Sequence, residues 1–298
     1  MPTYFYTFCK CYFLLLFTST CFIFFSNKNK GMSNTTKVVN VNESINCLES
    51  YESISDDVKY MSNSLIRLKI LAVLYEKPQN MKELTDKTKL NYSSVSSILH
   101  GLELRDFVYR KSNRYHLTTC LKMQMENILK FKDVVNVVNG FFNIFNAHIV
   151  DMIPEMSLVE LYMLKNAILL ESSGFDAYKI FNFIGNALDD ADCVKCIMPF
   201  YHEDFNVQLN NLVENDKFVE AIVSVDLFEC YEEKSDIRYL SSFKGKNNFL
   251  LISTDKMMIF GLFRDDGFFD QNRLITSKDK NSIMWANNLF KNFKINEF

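Results

Sequence analysis

The sequence predicts an α+β fold made of three successive parts: short helices closed by a β-hairpin, a long connecting helix, and a mixed α/β domain. Three observations predict these parts. Apolar residues recur at helical spacing between residues 65 and 103 and then alternate through residues 107–117. A second helical pattern starts at Thr118 and runs to about residue 150. Helical and strand-like segments alternate from residue 151 to the end, which is typical of α/β domains.

The first part begins with three predicted helices. The first spans Leu65–Glu76, and Pro78 ends it because proline lacks the N–H that the next helical hydrogen bond needs. The second spans Met81–Thr88, and the third follows Asn91, whose side chain suits an N-cap. The inward positions of these helices are Leu68, Leu71, Ala72, Tyr75, Leu84, Val95, Ile98, Leu99 and Leu102.

An alternating pattern then predicts a β-hairpin with strands at residues 107–110 and 114–117 and a turn at residues 111–113. Three helices and a hairpin make a winged helix-turn-helix over residues 59–117, in which the third helix enters a DNA groove and the hairpin, called the wing, touches the DNA backbone. The candidate DNA-binding residues are Asn91, Tyr92, Ser93, Ser94, Ser96, Ser97 and His100 on the helix and Arg110, Lys111 and Arg114 on the wing. His100 also fits an ordinary surface or core histidine, and the serines also fit phosphate contacts alone.

The charge distribution favours this interpretation. Residues 59–117 carry 11 Lys and Arg against 5 Asp and Glu, a net charge of +6, whereas residues 151–298 carry 15 against 24, a net charge of −9. The overall charge of −3 therefore combines a basic segment with an acidic one. Only the basic segment suits phosphate contacts, because binding to DNA depends on cationic side chains that displace counterions.

The long helical pattern of residues 118–150 has two interpretations. Its apolar positions Leu121, Met125, Ile128, Val135, Phe142 and Ile149 fall close to heptad spacing, which suits a dimerising helix. The polar positions Lys132, Asn139 and Asn146 interrupt the same seam. The helix therefore either mediates dimerisation or packs against the core of its own chain, and the sequence does not choose between the two.

The last part, residues 151–298, is predicted to alternate between helices and strands. We expect helices at residues 158–171, 178–188 and 205–214, strands at residues 194–200 and 220–225, and a closing helix through Trp285 and Phe290. Two further strands, residues 249–253 and 257–263, are separated by a turn at residues 254–256. Because 14% of all residues in the chain are aromatic, the aromatic side chains of this domain could line an apolar effector pocket or fill an ordinary hydrophobic core.

Two groups of motifs resemble known regulators. The segments Lys82-Glu83-Leu84, residues 91–99 and Leu102-Glu103 resemble prokaryotic winged-helix regulators. Residues 261–270 and residues 285–290 resemble the C-terminal effector domain of archaeal winged-helix regulators named for a methanogenesis regulatory protein, except that Phe269 stands where tyrosine is expected. The resemblance covers residues 60–294 and implies a transcriptional regulator whose C-terminal domain senses a signal or joins subunits. From the residues themselves, Asp265, Asp266 and Gly267 are expected to form a turn.

The sequence gives little support for catalysis, a cofactor or a metal site. It contains no G-x-G-x-x-G, G-x-x-x-x-G-K-[ST] or G-x-S-x-G motif, and its four histidines are far apart. His202-Glu203-Asp204 is explained by the exposed start of a helix. Cys193 and Cys196 form the chain's one C-x-x-C pair, without a second pair to complete a zinc site, so we interpret them as strand cysteines. The eight cysteines show no disulfide framework, which indicates a reducing compartment.

The N-terminal segment, residues 1–31, is a separate problem. Residues 11–25 are uncharged and apolar but short for a bilayer span, which needs about 20 residues. This segment is therefore either a membrane anchor or translated upstream sequence, in which case Met32 is the true start and residues 32–58 form a polar lead. A membrane partner is expected only if residues 1–31 are retained, and the winged helix is expected in the cytoplasm in both cases.

These observations lead to one functional hypothesis and one alternative. The hypothesis is a homodimeric regulator that binds double-stranded DNA and responds to a small-molecule or protein effector. The alternative is a protein-interaction module, attached to a membrane or not, that uses the winged fold without binding DNA. Enzyme activity is not expected.

Overall fold

The computed structural model describes residues 59–245 and 247–297. The hydrophobic segment and the polar lead expected at residues 1–31 and 32–58 lie outside the described residues. The chain divides into two compact units, one up to Phe131 and one from Lys132 onward. Across the described ranges, no helix combines the length and the apolar character that crossing a membrane requires.

The first unit contains the predicted helices and hairpin. Helix α1 spans Leu65–Glu76, α2 spans Met81–Thr88 and α3 spans Tyr92–Glu103. Strands β1 (Val108–Lys111) and β2 (Arg114–Leu117) pair antiparallel. This order of elements is a winged helix-turn-helix, and both of the first two helices have the bounds that the sequence predicts.

The core of this unit lies between the three helices and the wing. Its buried residues come from every element and include Ile70, Leu71, Leu84, Leu99 and Tyr115. In α1 the buried positions are Ile70, Leu71 and Leu74 rather than the predicted Leu68, Ala72 and Tyr75, which are half-buried. The inward face of α1 was therefore predicted only in part, because this helix is apolar on several sides and its spacing alone does not choose between them.

Tyr60 anchors the described start of the chain to this unit. The guanidinium groups of Arg67 and Arg105 lie 3.6 Å and 3.9 Å from the centroid of its ring. A Cβ on Gly101 of α3 would come within 2.9 Å of the Tyr60 hydroxyl, so the glycine allows this close approach. Residues 59–62 therefore pack with the winged helix.

Helix α4 spans Thr119–Gly140 and is shorter than the helix expected for residues 118–150. After Gly140 the chain forms a short helix α5 (Phe142–Phe145) and a short strand β3 (His148–Ile149). The helix stops because glycine is a poor helix former and Phe141 leaves the helical region, with φ −107° and ψ 21°. Between residues 134 and 147 the buried residues are Val134, Val137, Phe141 and Ile144, whereas Phe142 of the predicted seam is exposed.

The rest of the second unit alternates helices and strands. After α6 (Glu155–Val159) and a 3₁₀ helix (Glu160–Leu164), the elements are β4 (Ile168–Glu171), α7 (Lys179–Asp189), β5 (Cys193–Met198), α8 (Glu203–Glu214), β6 (Phe218–Ser224), α9 (Val225–Lys234), β7 (Tyr239–Phe243), β8 (Phe249–Thr254), β9 (Met258–Arg264), β10 (Arg273–Ser277) and α10 (Lys280–Glu297).

These strands form one mixed sheet. Its order is β4-β10-β9-β8-β5-β6-β7, and β3 adds a short antiparallel pair to β9. Strands β5, β6 and β7 are parallel to their neighbours in that group, and α8 and α9 make the two crossover connections. The remaining pairs are antiparallel. The fold is therefore α+β, as the sequence predicts.

Both faces of the sheet are covered. On one face, α7, α8 and α9 pack against strand residues such as Val194, Cys196 and Ala221. On the other face, α10 brings Trp285 and Phe293 against aromatic rings of the sheet, with Phe260 to Trp285 at 5.3 Å between centroids. The indole N–H of Trp285 also donates to the Ser157 carbonyl at 2.8 Å, which ties the segment from α6 onward to α10.

One predicted helix, residues 158–171, is wrong. The segment divides into the end of α6, the 3₁₀ helix and β4. Residues 168–171 pair with β10, with Glu171 opposite Arg273, so long-range sheet pairing overrides the local helical pattern. Helix α9 and strands β7 and β10 were also not predicted.

Candidate nucleic-acid interface

Helix α3 presents a polar outer face. Tyr92, Ser93, Ser96, Ser97 and His100 are exposed, whereas Val95, Leu99 and Leu102 are buried in the core. The predicted division of this helix into an inner and an outer face is therefore present in the structure. The outer face carries hydroxyl, phenol and imidazole groups and no carboxylate between Tyr92 and His100. Such a face meets the chemical needs of a helix that reads base edges and approaches phosphates.

Asn91 has a structural role at the start of α3. Its Oδ1 accepts the Ser94 backbone N–H at 2.8 Å and the Ser93 hydroxyl at 3.0 Å. Ser94 is half-buried, so of the seven predicted residues on the helix it is the least accessible. Asn91 and Ser94 therefore shape the start of α3, and the five residues on its outer face are the exposed ones.

A short turn sets the angle between α2 and α3. Three residues, 89–91, connect the two helices, which is the usual length in a helix-turn-helix. Lys89 ends α2 in the left-handed conformation, with φ 59°, and its N–H donates to the Thr85 carbonyl. Because Leu90 is half-buried and packs on the core, this turn is fixed by packing as well as by its backbone.

The wing turns sharply at Ser112 and Asn113. Both residues have positive φ, 48° and 61°, and Lys111 pairs directly with Arg114, so the hairpin has a two-residue loop of type I′. The predicted turn included Lys111, which instead ends β1. Lys111 is exposed next to the loop. Arg110 donates a hydrogen bond to the Asn113 side chain, and its guanidinium lies 5.7 Å from the Tyr115 ring centroid.

Arg114 is held by α2 rather than projecting freely. Its Nη1 lies 2.9 Å from Oε2 of Glu83 and its Nη2 lies 3.0 Å from Oε1, which is a bidentate ion pair. The same Nη1 donates to the Pro78 carbonyl at 2.9 Å. A phosphate contact through Arg114 would therefore have to replace or share these three bonds.

The sequence interpretation did not include Glu83 in the site. Glu83 completes a capping box at the start of α2, because its carboxylate accepts the Asn80 backbone N–H while Asn80 accepts the Glu83 N–H, both at 2.9 Å. The Asn80 N–H and then Arg114 hold the pKa of Glu83 below its ordinary value. The signal for the cap was visible as Asn followed three residues later by Glu. The signal for the Arg114 contact was not, since it joins residues 31 positions apart.

The motif at residues 261–270 has a structural explanation in the second unit. Asp265 and Asp266 form the predicted turn, and Gly267 has φ 83°. A Cβ on Gly261 would lie 2.9 Å from two ring carbons of Phe269, so only glycine lets that ring cross β9. Asp270 ends the motif in a buried pair with His148, at 2.8 Å between Nε2 and Oδ2.

The cysteine and histidine candidates lie in a strand and at the start of a helix. Cys193 begins β5 and Cys196 is buried three residues later, so their side chains lie on opposite faces of the sheet. Burial raises the pKa of the Cys196 thiol to about 12. His202 precedes α8, which begins at Glu203, as the helix-start interpretation expects. No group of three His, Cys, Asp or Glu side chains within the described residues is arranged to hold a metal ion.

A groove of about 580 Å³ lies between α7 and α8. The rings of Phe181, His202 and Phe205 stack on one another along it, with His202 to Phe205 at 4.2 Å between centroids. Amide side chains from Asn182, Asn186 and Gln208 also line the groove. In the part of the chain that the structure describes, Nδ1 of His202 and Oε1 of Gln208 are buried without a hydrogen-bond partner. The groove is therefore rich in hydrogen-bonding groups and has neither Lys nor Arg in its lining.

Comparison with protein families gives two matches. Residues 55–139 match the family described as HVO_A0261 N-terminal domain, which covers the winged helix and nearly all of α4. Residues 177–296 match the family described as methanogenesis regulatory protein FilR1, middle domain, which covers the second unit from just before α7 to the end of α10. None of the curated proteins matches the sequence.

Solved structures show only distant likeness. TrmBL2, an archaeal chromatin protein, is 11% identical with a TM-score of 0.34, and the alignment covers 80% of this chain and 96% of that one. An IclR transcriptional regulator from Alicyclobacillus acidocaldarius is 11% identical with a TM-score of 0.24, covering 76% and 94%. An O-methyltransferase family protein from Burkholderia thailandensis is 8% identical with a TM-score of 0.22, covering 65% and 64%. Likeness at these TM-scores establishes neither a shared fold nor a shared function.

The winged helix lies within the first family match and the first compact unit, although that match extends eight residues past the boundary at Phe131, and the regulatory-protein match lies wholly in the second unit. The FilR1 match supports a transcriptional regulator rather than an enzyme. The chain is similar to methanogenesis regulatory protein FilR1 through its second unit and to HVO_A0261 through its first, which confirms the predicted resemblance to archaeal winged helix-turn-helix transcriptional regulators.

Proposed function

We propose that this chain binds double-stranded operator DNA, with α3 in the major groove and the wing against the sugar-phosphate backbone. The observation that carries the proposal is the outer face of α3. Its exposed residues are polar and free of acids from Tyr92 to His100, and the helix belongs to a segment with a net charge of +6. An α-helix fits the major groove, and hydroxyl and imidazole groups suit both base edges and phosphates.

The wing adds cationic side chains to this face. Lys111 is exposed at the end of β1, beside the two-residue loop, and Arg110 is exposed one residue earlier. In winged-helix complexes such side chains touch phosphates and add to affinity without reading sequence. The proposal therefore assigns sequence reading to α3 and backbone contact to Lys111 and Arg110.

We further propose that the protein acts as a dimer in the cytoplasm and that its second unit receives a signal. Operators with two half-sites about 10 base pairs apart are the usual partners of dimeric helix-turn-helix proteins. An effector that changes the spacing of two winged helices would change the fit to such a site. Attachment to a membrane is the alternative location, and it depends on residues 1–31.

The groove between α7 and α8 is where we propose that a small effector binds. Gln208 Oε1 is an acceptor without a partner among the described residues, Asp204 contributes a carboxylate, and the lining has no Lys or Arg. These groups favour a neutral or cationic ligand that donates hydrogen bonds. The test is a thermal-shift comparison of the full chain with primary amines and with carboxylic acids of similar size. Stabilisation by amines that Gln208→Leu abolishes supports the site, and stabilisation by acids alone would reject it.

The DNA proposal is tested by nuclease protection of the region upstream of the protein's own gene. A dimeric reader should protect two patches whose centres lie about 10 base pairs, or a multiple of that, apart. Sedimentation of the same preparation should give the mass of two chains. Protection that is uniform along the DNA would leave only non-specific binding, and no protection at any salt concentration would favour the alternative, a protein-interaction module.

A further inference from the structure

The ion pair between Glu83 and Arg114 joins the wing to α2. Each terminal nitrogen of Arg114 meets a different oxygen of the Glu83 carboxylate, at 2.9 Å and 3.0 Å, and this fork geometry fixes direction as well as distance. Arg114 also donates to the Pro78 carbonyl just before α2. Arg114 is the first residue of β2, directly after the wing loop, so these bonds hold the wing at its tip end.

Glu83 is itself fixed at the start of α2. Its Oε2 accepts the Asn80 N–H. The side-chain amide of buried Gln79, with its nitrogen turned towards Glu83 and its oxygen towards Lys87, donates to the same Oε2 at 3.0 Å and accepts from Lys87 Nζ at 3.1 Å. Gln79 also exchanges two backbone hydrogen bonds with Tyr115 of β2, at 2.8 Å and 3.3 Å. The wing is therefore bound to the N-terminal end of α2 by adjacent backbone and side-chain bonds.

Two roles for Arg114 are compatible with this geometry. In the first, Arg114 is a phosphate contact that Glu83 holds until DNA arrives, so Glu83 competes with DNA. In the second, Arg114 stays with Glu83 when DNA binds and sets the angle of the wing. The number of bonds favours the second role, because a bidentate phosphate contact would replace the two charged hydrogen bonds to Glu83 but not the third bond, to the Pro78 carbonyl.

We infer that Glu83 and Arg114 are positioning residues that hold the wing in its DNA-binding orientation, and that neither side chain contacts DNA. This inference rests on the proposed DNA-binding function. Lys111 and Arg110 then make the phosphate contacts of the wing, and their placement depends on an acidic residue. An acid near a DNA-binding surface ordinarily weakens binding by repulsion. Here the acid strengthens binding, because it orients cations that lie on the same hairpin.

The sign of one substitution separates the two roles. Glu83→Gln keeps the size of the side chain and an oxygen for the Asn80 N–H, but removes the charge that holds Arg114. If Glu83 positions the wing, Glu83→Gln weakens DNA binding about fivefold and makes its salt dependence shallower, since the wing cations lose their phosphates. If Glu83 competes with DNA, the same substitution frees Arg114 and strengthens binding.

Glu76→Gln is the matched control. Glu76 is an acid on the neighbouring helix α1 that pairs with Lys87 at 3.5 Å and has no bond to the wing among the described contacts. Glu76→Gln measures how much the affinity for DNA rises when one negative charge is lost.

Arg114→Lys is the second variant, because it keeps the positive charge and loses the two-nitrogen fork of the guanidinium. The positioning role predicts that Arg114→Lys weakens binding as Glu83→Gln does, and a direct phosphate contact predicts little change.

Hydrogen exchange supplies a measurement that needs no DNA. The Tyr115 N–H donates to the Gln79 carbonyl at 2.8 Å. Glu83→Gln should accelerate exchange at this amide, and Glu76→Gln should not. Tighter DNA binding by Glu83→Gln than by Glu76→Gln, or unchanged exchange at Tyr115, would overturn the inference. Failure of the unsubstituted protein to bind DNA would instead overturn the proposed function, so the two failures are distinguishable.

Discussion

His148 and Asp270 form a buried pair between segments 122 residues apart in the chain, with Nε2 of the histidine 2.8 Å from Oδ2 of the aspartate. The other ring nitrogen of His148 lies 2.7 Å from the Ile144 carbonyl. Asp270 also accepts the Asn272 N–H and the Arg273 Nε–H. The pair therefore ties the short strand β3 to the turn between β9 and β10.

The pair predicts how the stability of the second unit depends on pH. Burial raises the pKa of Asp270, but hydrogen bonds from His148, Asn272 and Arg273 outweigh it, so the pKa lies below its ordinary value. A lowered pKa in the folded state contributes stability that is present above the unfolded value of about 3.9 and is lost as pH falls through the folded value. Asp270→Asn should therefore cost about 1–3 kcal/mol at pH 7 and less below pH 4.

Trp285 makes this measurable, because it is the chain's one tryptophan and is buried in the second unit. Urea unfolding followed by its fluorescence at pH 7 and pH 3 gives both values. Asp266→Asn serves as the control, since Asp266 is exposed and its carboxylate contacts Arg264 and the Phe268 N–H within the turn rather than a buried partner. An Asp270→Asn variant as stable as the control at pH 7 would contradict the role given to the pair.

Gly261→Ala should destabilise the second unit by about 1–3 kcal/mol, because its Cβ would meet the Phe269 ring at 2.9 Å within a packed core. The Phe269 ring also packs against Phe200 and Phe263, so it has little room to move. Gly174→Ala, at a glycine with open space around it, should change stability by less than about 0.5 kcal/mol. Equal effects of the two substitutions on stability, measured by urea unfolding with Trp285 fluorescence, would show that contact with the Phe269 ring is not the reason for a glycine at position 261.

Lys111→Ala should weaken DNA binding by a similar factor on every sequence and lower the slope of log affinity against log salt by about 1. The reason is that Lys111 is an exposed cation beside the wing loop, where the proposed binding mode brings it to phosphate and not to base edges. Lys291→Ala removes an exposed cation from α10 and should leave the slope unchanged. An unchanged slope with Lys111→Ala would remove this contact from the account.

His100→Ala should change which sequence is preferred more than it changes the salt slope. His100 is exposed on the outer face of α3, and a side chain that contacts a base edge contributes about 1–3 kcal/mol to discrimination at one position. The measurement is the affinity of the variant for a set of single-base operator changes. A uniform loss across the set would assign His100 to backbone contact, and no loss would leave it as the ordinary surface histidine of the alternative interpretation.

Local patterns predicted the parts of this fold that local interactions determine. The bounds of α1 and α2 follow from Pro78 and from the capping box, both of which act within four residues. The exposed and buried faces of α3 follow from helical spacing. The turn at Asp265 and Asp266 follows from turn chemistry.

The parts that were not predicted depend on distant partners. Residues 168–171 end a segment, residues 158–171, whose pattern predicted a helix, and they form a strand because β10 supplies hydrogen bonds from about a hundred residues away. Arg114 is a cation on the wing, which in the sequence indicates a phosphate contact. Only the structure shows that its guanidinium is already paired with the Glu83 carboxylate. In the same way, nothing near His148 in the sequence indicates its pairing with Asp270.

The most direct test of the account is binding of the full chain to duplex DNA from its own upstream region, measured over a salt series with scrambled duplex as competitor. The account predicts that the native duplex binds more tightly than the scrambled one and that affinity falls steeply as salt rises, since phosphate contacts release counterions. Absence of binding to both duplexes at low salt would contradict it, and the winged helix would then be a surface for another protein.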